Sequence, residues 1–234
     1  MAGITDAAFL NKVIPYGFDV ATLGGFNLDE PTIEASRLIL ERGRKEFHFP
    51  QKLIFSHISS EASLIKNQHP SVKVSANVRS TTPEPIIKLD DIDDLDIIEI
   101  NCHCRQPEFQ EISCGQAMLQ RDDLGDFISE VVNNVSKEVS VKIRANVSDD
   151  LKVSRIIEDA GADYLHVDAM KPGVFDADYE LLENLCSNLD VPVIGNNSID
   201  SEEKIKKILK TGVSGFSIAR ALISGKLTFN IANF

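Results

Sequence analysis

Short apolar runs alternate with amphipathic stretches along most of this chain. The runs are centred near positions 20, 74, 98, 141, 165, 193 and 217. As segments they read Asp19 to Gly25, Val72 to Val78, Asp96 to Asn101, Val139 to Arg144, Ala162 to Asp168, Val191 to Gly195 and Gly215 to Ala219. Each has the length of an ordinary strand. Between them the pattern turns helical. A cap at Thr5 or Asp6 opens a short helix to Val13, and Pro31 sits in the first turn of a helix reaching Arg44. Further helices are expected over Ser60 to Gln68, within Pro83 to Asp91, through most of Gly115 to Lys137, and over Asp149 to Ala160, Ala177 to Leu189 and Ser201 to Lys210. Pro70, Gly161 and Gly212 follow three of them as stop signals. Lys52 to His57 reads as one more short strand outside the regular alternation.

Strands alternating with helices predict a parallel sheet covered by helices. The chain has 234 residues, close to the size of a TIM (β/α)8 barrel. Only seven strands are well supported, and Met1-Ala2-Gly3 reads as the end of a strand. The expected architecture is therefore a single-domain barrel, residues 1–234, incomplete at its first strand. Neither a low-complexity linker nor an internal repeat divides the chain.

Composition narrows the function class. Hydrophobic residues make up 43% and charged residues 26%, which fits a globular protein with a real core. No window reaches the roughly 20 apolar residues of a membrane helix. Four cysteines without a regular framework suit a reducing compartment, so a cytoplasmic location is expected. The net charge of −12 lowers the expectation of tight nucleic-acid binding, which usually needs a surplus of Lys and Arg.

In such a barrel the residues just past the carboxyl ends of the strands face one pocket. Here they are Asn77, Asn101 with Cys104, Lys142 with Arg144, His166 with Asp168, Asn196, and Arg220. The loops after the last two strands add backbone N–H groups beside Gly195 and Ala219, an arrangement suited to a phosphate. Cys102, His103, Cys104 and Cys114 could be read as metal ligands, but gaps of one residue fall short of the usual two to about four; no metal is expected. His48, His57 and His69 read as surface or loop residues, Asp90 to Asp94 as a solvated acidic turn, and Cys186 as part of a helix core.

These residues carry a family resemblance. Met1-Ala2-Gly3-Ile4-Thr5-Asp6, Ile100-Asn101-Cys102-His103-Cys104, Gly115-Gln116-Ala117-Met118-Leu119, Val141-Lys142-Ile143-Arg144, His166, Pro192 to Asn196 and Gly215 to Leu222 together resemble the tRNA-dihydrouridine synthases. That family belongs to the FMN-binding barrels, which also include dihydroorotate dehydrogenases. The resemblance covers most of the chain in order. It implies an FMN-dependent reduction of a uracil carbon–carbon double bond, with a hydride from the flavin and a proton from Cys104. By position it implies that Asn77, Lys142 and His166 contact the flavin, and that Gly195, Asn196, Ala219 and Arg220 hold its phosphate. Asn101, His103, Arg105 and Arg144 then fall on the substrate side. The implied substrate is a tRNA uracil or a free small molecule; a reduced nicotinamide as electron donor and a homo-oligomer are separate expectations that the resemblance does not supply.

Several positions depart from the family pattern. His103 and Arg105 stand where the family has glycine and proline, Asp168 where it has arginine, and Ala219 where it has glycine. The sequence to Phe234 does not show the helical domain by which the synthases bind tRNA. Two alternative expectations follow: a dihydroorotate dehydrogenase-like flavoprotein acting on a free small molecule, and a barrel that binds a phosphate ligand without catalysis.

Overall fold

The computed structural model describes residues 2–231 and Phe234. Seven strands form one all-parallel sheet in the order β1 to β7: Val20–Asn27, Lys73–Arg79, Ile97–Cys102, Glu138–Arg144, Tyr164–Asp168, Val193–Asn196 and Gly215–Phe216. The sheet curls, because residues from all seven strands line a single cavity, in alternation along β2 to β6. The architecture is TIM-barrel-like. Each strand presents two chemically different faces. Val74, Ala76 and Val78, then Ile98, Ile100 and Cys102, then Val139, Val141 and Ile143 are buried in the hydrophobic core. Their neighbours of opposite parity, such as Ser75, Asn77, Glu99, Asn101, Ser140, Lys142 and His166, point inward to the cavity. Period-two alternation thus separates the packing face from the chemical face.

The main helices pack outside. They are α1 (Ala7–Val13), α2 (Glu30–Glu41), α3 (Gln51–Gln68), α4 (Glu84–Ile87), α5 (Pro107–Gln110), α6 (Leu124–Asn133), α7 (Asp150–Asp159), α8 (Tyr179–Asn188) and α9 (Glu202–Leu209). Asp29 caps α2 by accepting from the Thr32 N–H at 3.2 Å, and its other oxygen accepts from the Thr81 N–H at 2.6 Å. One side chain therefore fixes a helix start and ties the loops after β1 and β2 together. No helix among the described residues is long and apolar enough to cross a membrane.

Three expectations need correction. Lys52 to His57 is the first part of α3, not a strand. Ile54, Ile58, Ala62 and Ile65 are all buried along it, so the helical period runs through both segments that the sequence had divided. The stretch Gly115 to Lys137 is broken: a 3-10 helix spans Gly115–Gln120, and α6 begins only at Leu124. The last strand stops at Phe216, short of Ala219.

Among the described residues β1 pairs with β2 and β7 with β6, each on one side. Thr5 bridges the outer edge of β1: the Gly24 N–H donates to its carbonyl at 3.0 Å, and its hydroxyl donates to the Gly24 carbonyl at 2.5 Å. Met1, which opens one of the sequence motifs, lies outside the described residues, as does any strand before it.

Candidate active site

The interior of the curled sheet is a cavity of about 1290 Å3, above the roughly 300–1,000 Å3 typical of small-ligand pockets. It runs from Lys73 and Tyr164 near the strand starts to Arg79, Arg144 and Asp168 at the strand ends. Asn77, Asn101, His103, Cys104, Arg105, Lys142, Arg144, His166, Asn196, Ala219 and Arg220 all line it. Gly195 does not. A Cβ there would come within 2.9 Å of Ile208 Cδ1 in α9, so Gly195 serves close packing of sheet on helix, and its carbonyl accepts from the Ser217 N–H at 3.0 Å.

Strand register sets the chemistry side by side. Asn101 pairs with Lys142, and Lys142 with His166. At the end of β3 the chain turns: the Asn101 side-chain oxygen accepts from the backbone N–H of Cys104 at 2.9 Å and of His103 at 3.2 Å. The Gln116 N–H donates to the Cys104 carbonyl at 2.9 Å. Gly115 allows that approach, since a Cβ on it would lie 2.3 Å from the Cys104 carbonyl oxygen, and its φ of +62° is one that glycine adopts without strain. The cysteines separate. Cys102 is buried 3.8 Å from Met118 Sδ, Cys114 is buried beneath the Ser80 carbonyl, and only Cys104 of the three lines the cavity. Burial pushes the Cys102 thiol pKa up strongly and that of Cys114 to about 12, so both remain protonated thiols.

His103 and Asp168, far apart in sequence, meet in space. His103 Nε2 lies 3.4 Å from Asp168 Oδ2, and Arg144 Nη1 donates to the same oxygen at 2.9 Å. Asn197 Nδ2 donates to Asp168 Oδ1 at 2.9 Å. Burial opposes the Asp168 charge, but His103, Arg144 and Lys142 outweigh it and hold the carboxyl below its usual range. Burial also pushes the His103 pKa down, to about 4, and its contact with Asp168 only partly offsets this. With 32% of that side chain exposed, hydration tempers the shift, and its direction leaves the ring neutral at physiological pH. His103 Nδ1 has no partner among the described residues.

At the far side, Arg220 Nη2 donates to Asn197 Oδ1 and Ser198 Oγ, both at 3.1 Å. The buried Asn196 Oδ1 has no partner among the described residues. The Lys142 side chain lines the cavity, and its charge acts on Glu99, His166 and Asp168. Arg44, Lys45 and Arg105 line the cavity as well and are exposed. Burial lowers the Arg144 pKa; Asp168 opposes this, while nearby Arg105 and Arg220 add to the lowering. The cavity mouth thus gathers cations on a chain whose net charge is −12, an arrangement that attracts an anion locally.

Sequence reasoning missed Glu99, which lies in what reads as an apolar run but faces inward, 3% exposed. Its parity with Asn101 was the available signal. It also missed Ser217, Asn197 and Ser198, whose roles depend on a loop shape that spacing does not encode.

The buried titratable groups make stability acid-sensitive. Burial, then the Lys142 charge, lower the His166 pKa despite Glu99. In the unfolded chain both histidines take up protons as pH falls through about 6.5, while the folded protein resists. The unfolded state then binds more protons, so stability falls with falling pH. Glu99 and Asp168 have depressed folded pKa values, so their contribution is present above the unfolded carboxylate range and is lost as pH falls below it. Thermal melts from about pH 7 to about pH 4.5 should show a steadily falling Tm; a flat profile would contradict these assignments.

A family model described as dihydrouridine synthase matches residues 49–230. An uncharacterized protein of Methanocaldococcus jannaschii is 37% identical over 242 aligned residues, covering 97% of this chain and 88% of that one. A probable tRNA-dihydrouridine synthase of Helicobacter pylori is 25% identical over 98% of this chain and 67% of its own. Among solved structures, thiamine phosphate pyrophosphorylase from Pyrococcus furiosus superposes with a TM-score of 0.55 at 13% identity, over 94% of this chain and 82% of that one. That last likeness concerns the fold alone.

Proposed function

The chain belongs to the dihydrouridine synthase family, and from that premise we propose that it is an FMN-dependent reductase of a uracil double bond in tRNA, with Cys104 as proton donor. The observation that carries the reading is the convergence of Cys104, Asn101, Lys142 and His166 on one cavity. The cavity suits FMN on two counts. It is large enough, at about 1290 Å3, and it holds a buried polar atom without a partner among the described residues, Asn196 Oδ1, with the Lys142 side chain also on its wall. A buried amide oxygen without a partner is costly unless a ligand satisfies it.

Lys142, His166 and Asn77 would hold the flavin ring, and Arg220 with Asn196 to Ser198 would hold its phosphate. Bound and reduced, FMN would supply the hydride for one carbon of the double bond. Cys104 keeps its proton at Sγ and delivers it to the other carbon. The Asn101 turn orients that thiol. His103, neutral beside it, contributes a polar ring without a competing charge. Arg44, Lys45, Arg105 and Arg144 give the mouth a positive field, which suits a phosphate-bearing substrate on an otherwise acidic protein. A reduced nicotinamide is the proposed source of electrons for the flavin.

The test is direct. Protein reconstituted with FMN should absorb between about 350 and 500 nm after desalting. With reduced nicotinamide it should then form dihydrouridine in unmodified tRNA. Failure to retain flavin would overturn the cofactor assignment. Turnover of free uracil or dihydroorotate, with none on tRNA, would overturn the substrate.

A further inference from the structure

Glu99 occupies the middle of β3, with Ile98 and Ile100 on either side facing the helices and its own side chain inside the sheet. A buried carboxylate costs several kcal/mol unless it is fully hydrogen-bonded. Glu99 meets that condition. Oε1 accepts from Asn77 Nδ2 at 2.7 Å, and Oε2 accepts from His166 Nδ1 at 2.6 Å, with Ser140 Oγ at 3.4 Å. Burial opposes its charge, but His166, Lys142 and the Asn77 amide outweigh that and keep it ionised.

We propose that Glu99 is the positioning residue of this site, setting both the tautomer of His166 and, through Asn77 and Asn101, the turn that presents Cys104. A carboxylate can only accept hydrogen bonds, so every group facing it must turn a donor inward, and that polarity passes along two arms. In the first, His166 carries its proton on Nδ1, which leaves Nε2 bare to accept from the Ser217 hydroxyl at 2.7 Å. In the second, Asn77 turns its amide nitrogen to Glu99, so its oxygen accepts from Asn101 Nδ2 at 2.7 Å. The Asn101 oxygen is then left to face the N–H groups of His103 and Cys104. Reversing any one amide sets donor against donor. The buried charge therefore dictates the orientation of groups on four strands and their loops. The catalytic consequence rests on the flavin reading above, whereas the geometric claim does not.

Glu99→Gln separates charge from shape. A glutamine can accept on one side only, so one arm must break. Either the His166 proton moves to Nε2, or Asn77 and Asn101 turn over and release the Cys104 turn. Both are read without flavin or tRNA, so failure of the cofactor reading leaves this test intact. Long-range 1H–15N correlation reports the tautomer, with His166→Gln assigning its signal among the five histidines. Iodoacetamide labelling followed by peptide mass spectrometry reports the Cys104 rate. The expected result is an Nδ1–H tautomer in the wild type, with either a tautomer change or an altered Cys104 labelling rate in the variant. In the loaded enzyme kcat should fall by about 10- to 100-fold with little change in KM. If Glu99→Gln does not fold, Asn77→Leu cuts only the second arm: Cys104 labelling should change and the His166 tautomer should not. A folded Glu99→Gln protein with both readouts unchanged would overturn the proposal, as would an Asn77→Leu protein with unaltered Cys104 labelling.

Discussion

Cys104→Ala should lower the rate of dihydrouridine formation by about 10²- to 10⁴-fold, the usual contribution of a positioned general acid, while flavin binding stays intact. The main chain at Cys104 is held by three features that do not involve sulfur. Its N–H donates to Asn101, its carbonyl accepts from the Gln116 N–H, and Gly115 lies against that carbonyl. Removing Sγ therefore removes the proton donor and leaves the turn. No other cysteine of the loop can substitute, because Cys102 and Cys114 are buried on the packing side with raised pKa values. Cys186→Ala, on α8 away from the cavity, serves as the control. Nucleoside mass spectrometry measures the product, and absorbance measures bound flavin. Wild-type turnover in Cys104→Ala would remove Cys104 from the mechanism.

The same local rules explain what could be read from sequence and what could not. All seven strands are visible as apolar runs because their outward faces, such as Val139, Val141 and Ile143, are continuous core. The inward face is harder to see. Lys142 and His166 stand out by residue type, but Glu99 is a single charge among isoleucines, and only parity marks it as facing Asn77. Lys52 to His57 misleads for the opposite reason, since a few apolar residues fit either period until Ala62 and Ile65 extend the helical one. Contacts distant in sequence leave no local trace. His103 and Asp168 lie far apart in sequence, and only the fold shows that they share one contact. Their pairing relocates charge within the site, since a neutral imidazole beside Cys104 now faces a carboxylate that Arg144 also binds.

Arg79 and Glu46 are a second such pair, and breaking them should have the largest effect on stability. Glu46→Ala is expected to destabilise the fold by about 3–5 kcal/mol, the usual result of stranding one member of a buried ion pair. At about 2–4 °C per kcal/mol for a domain of this size, Tm should fall by roughly 6–20 °C. The side chains of Arg79 and Glu46 are only 1% and 2% exposed, with Nη2 and Oε1 3.0 Å apart. Arg79 also donates from Nη1 to Asn27 Oδ1 at 2.9 Å and from Nη2 to the Gly25 carbonyl at 3.3 Å, and its guanidinium lies 4.2 Å over the Phe109 ring. Gly25 makes room for it, because a Cβ there would sit 2.7 Å from Nη2. Nε has no partner among the described residues, so the cation has no reserve of hydrogen bonds to draw on once Glu46 is gone. The pair joins the loop after α2 to the end of β2, and Phe109 joins both to the helix that follows the Cys104 turn. Removing both charges tests the cause. Glu46→Ala combined with Arg79→Met should recover most of the lost Tm, because no uncompensated charge remains buried. A double variant as unstable as Glu46→Ala alone would mean that packing, and not the stranded charge, sets the cost.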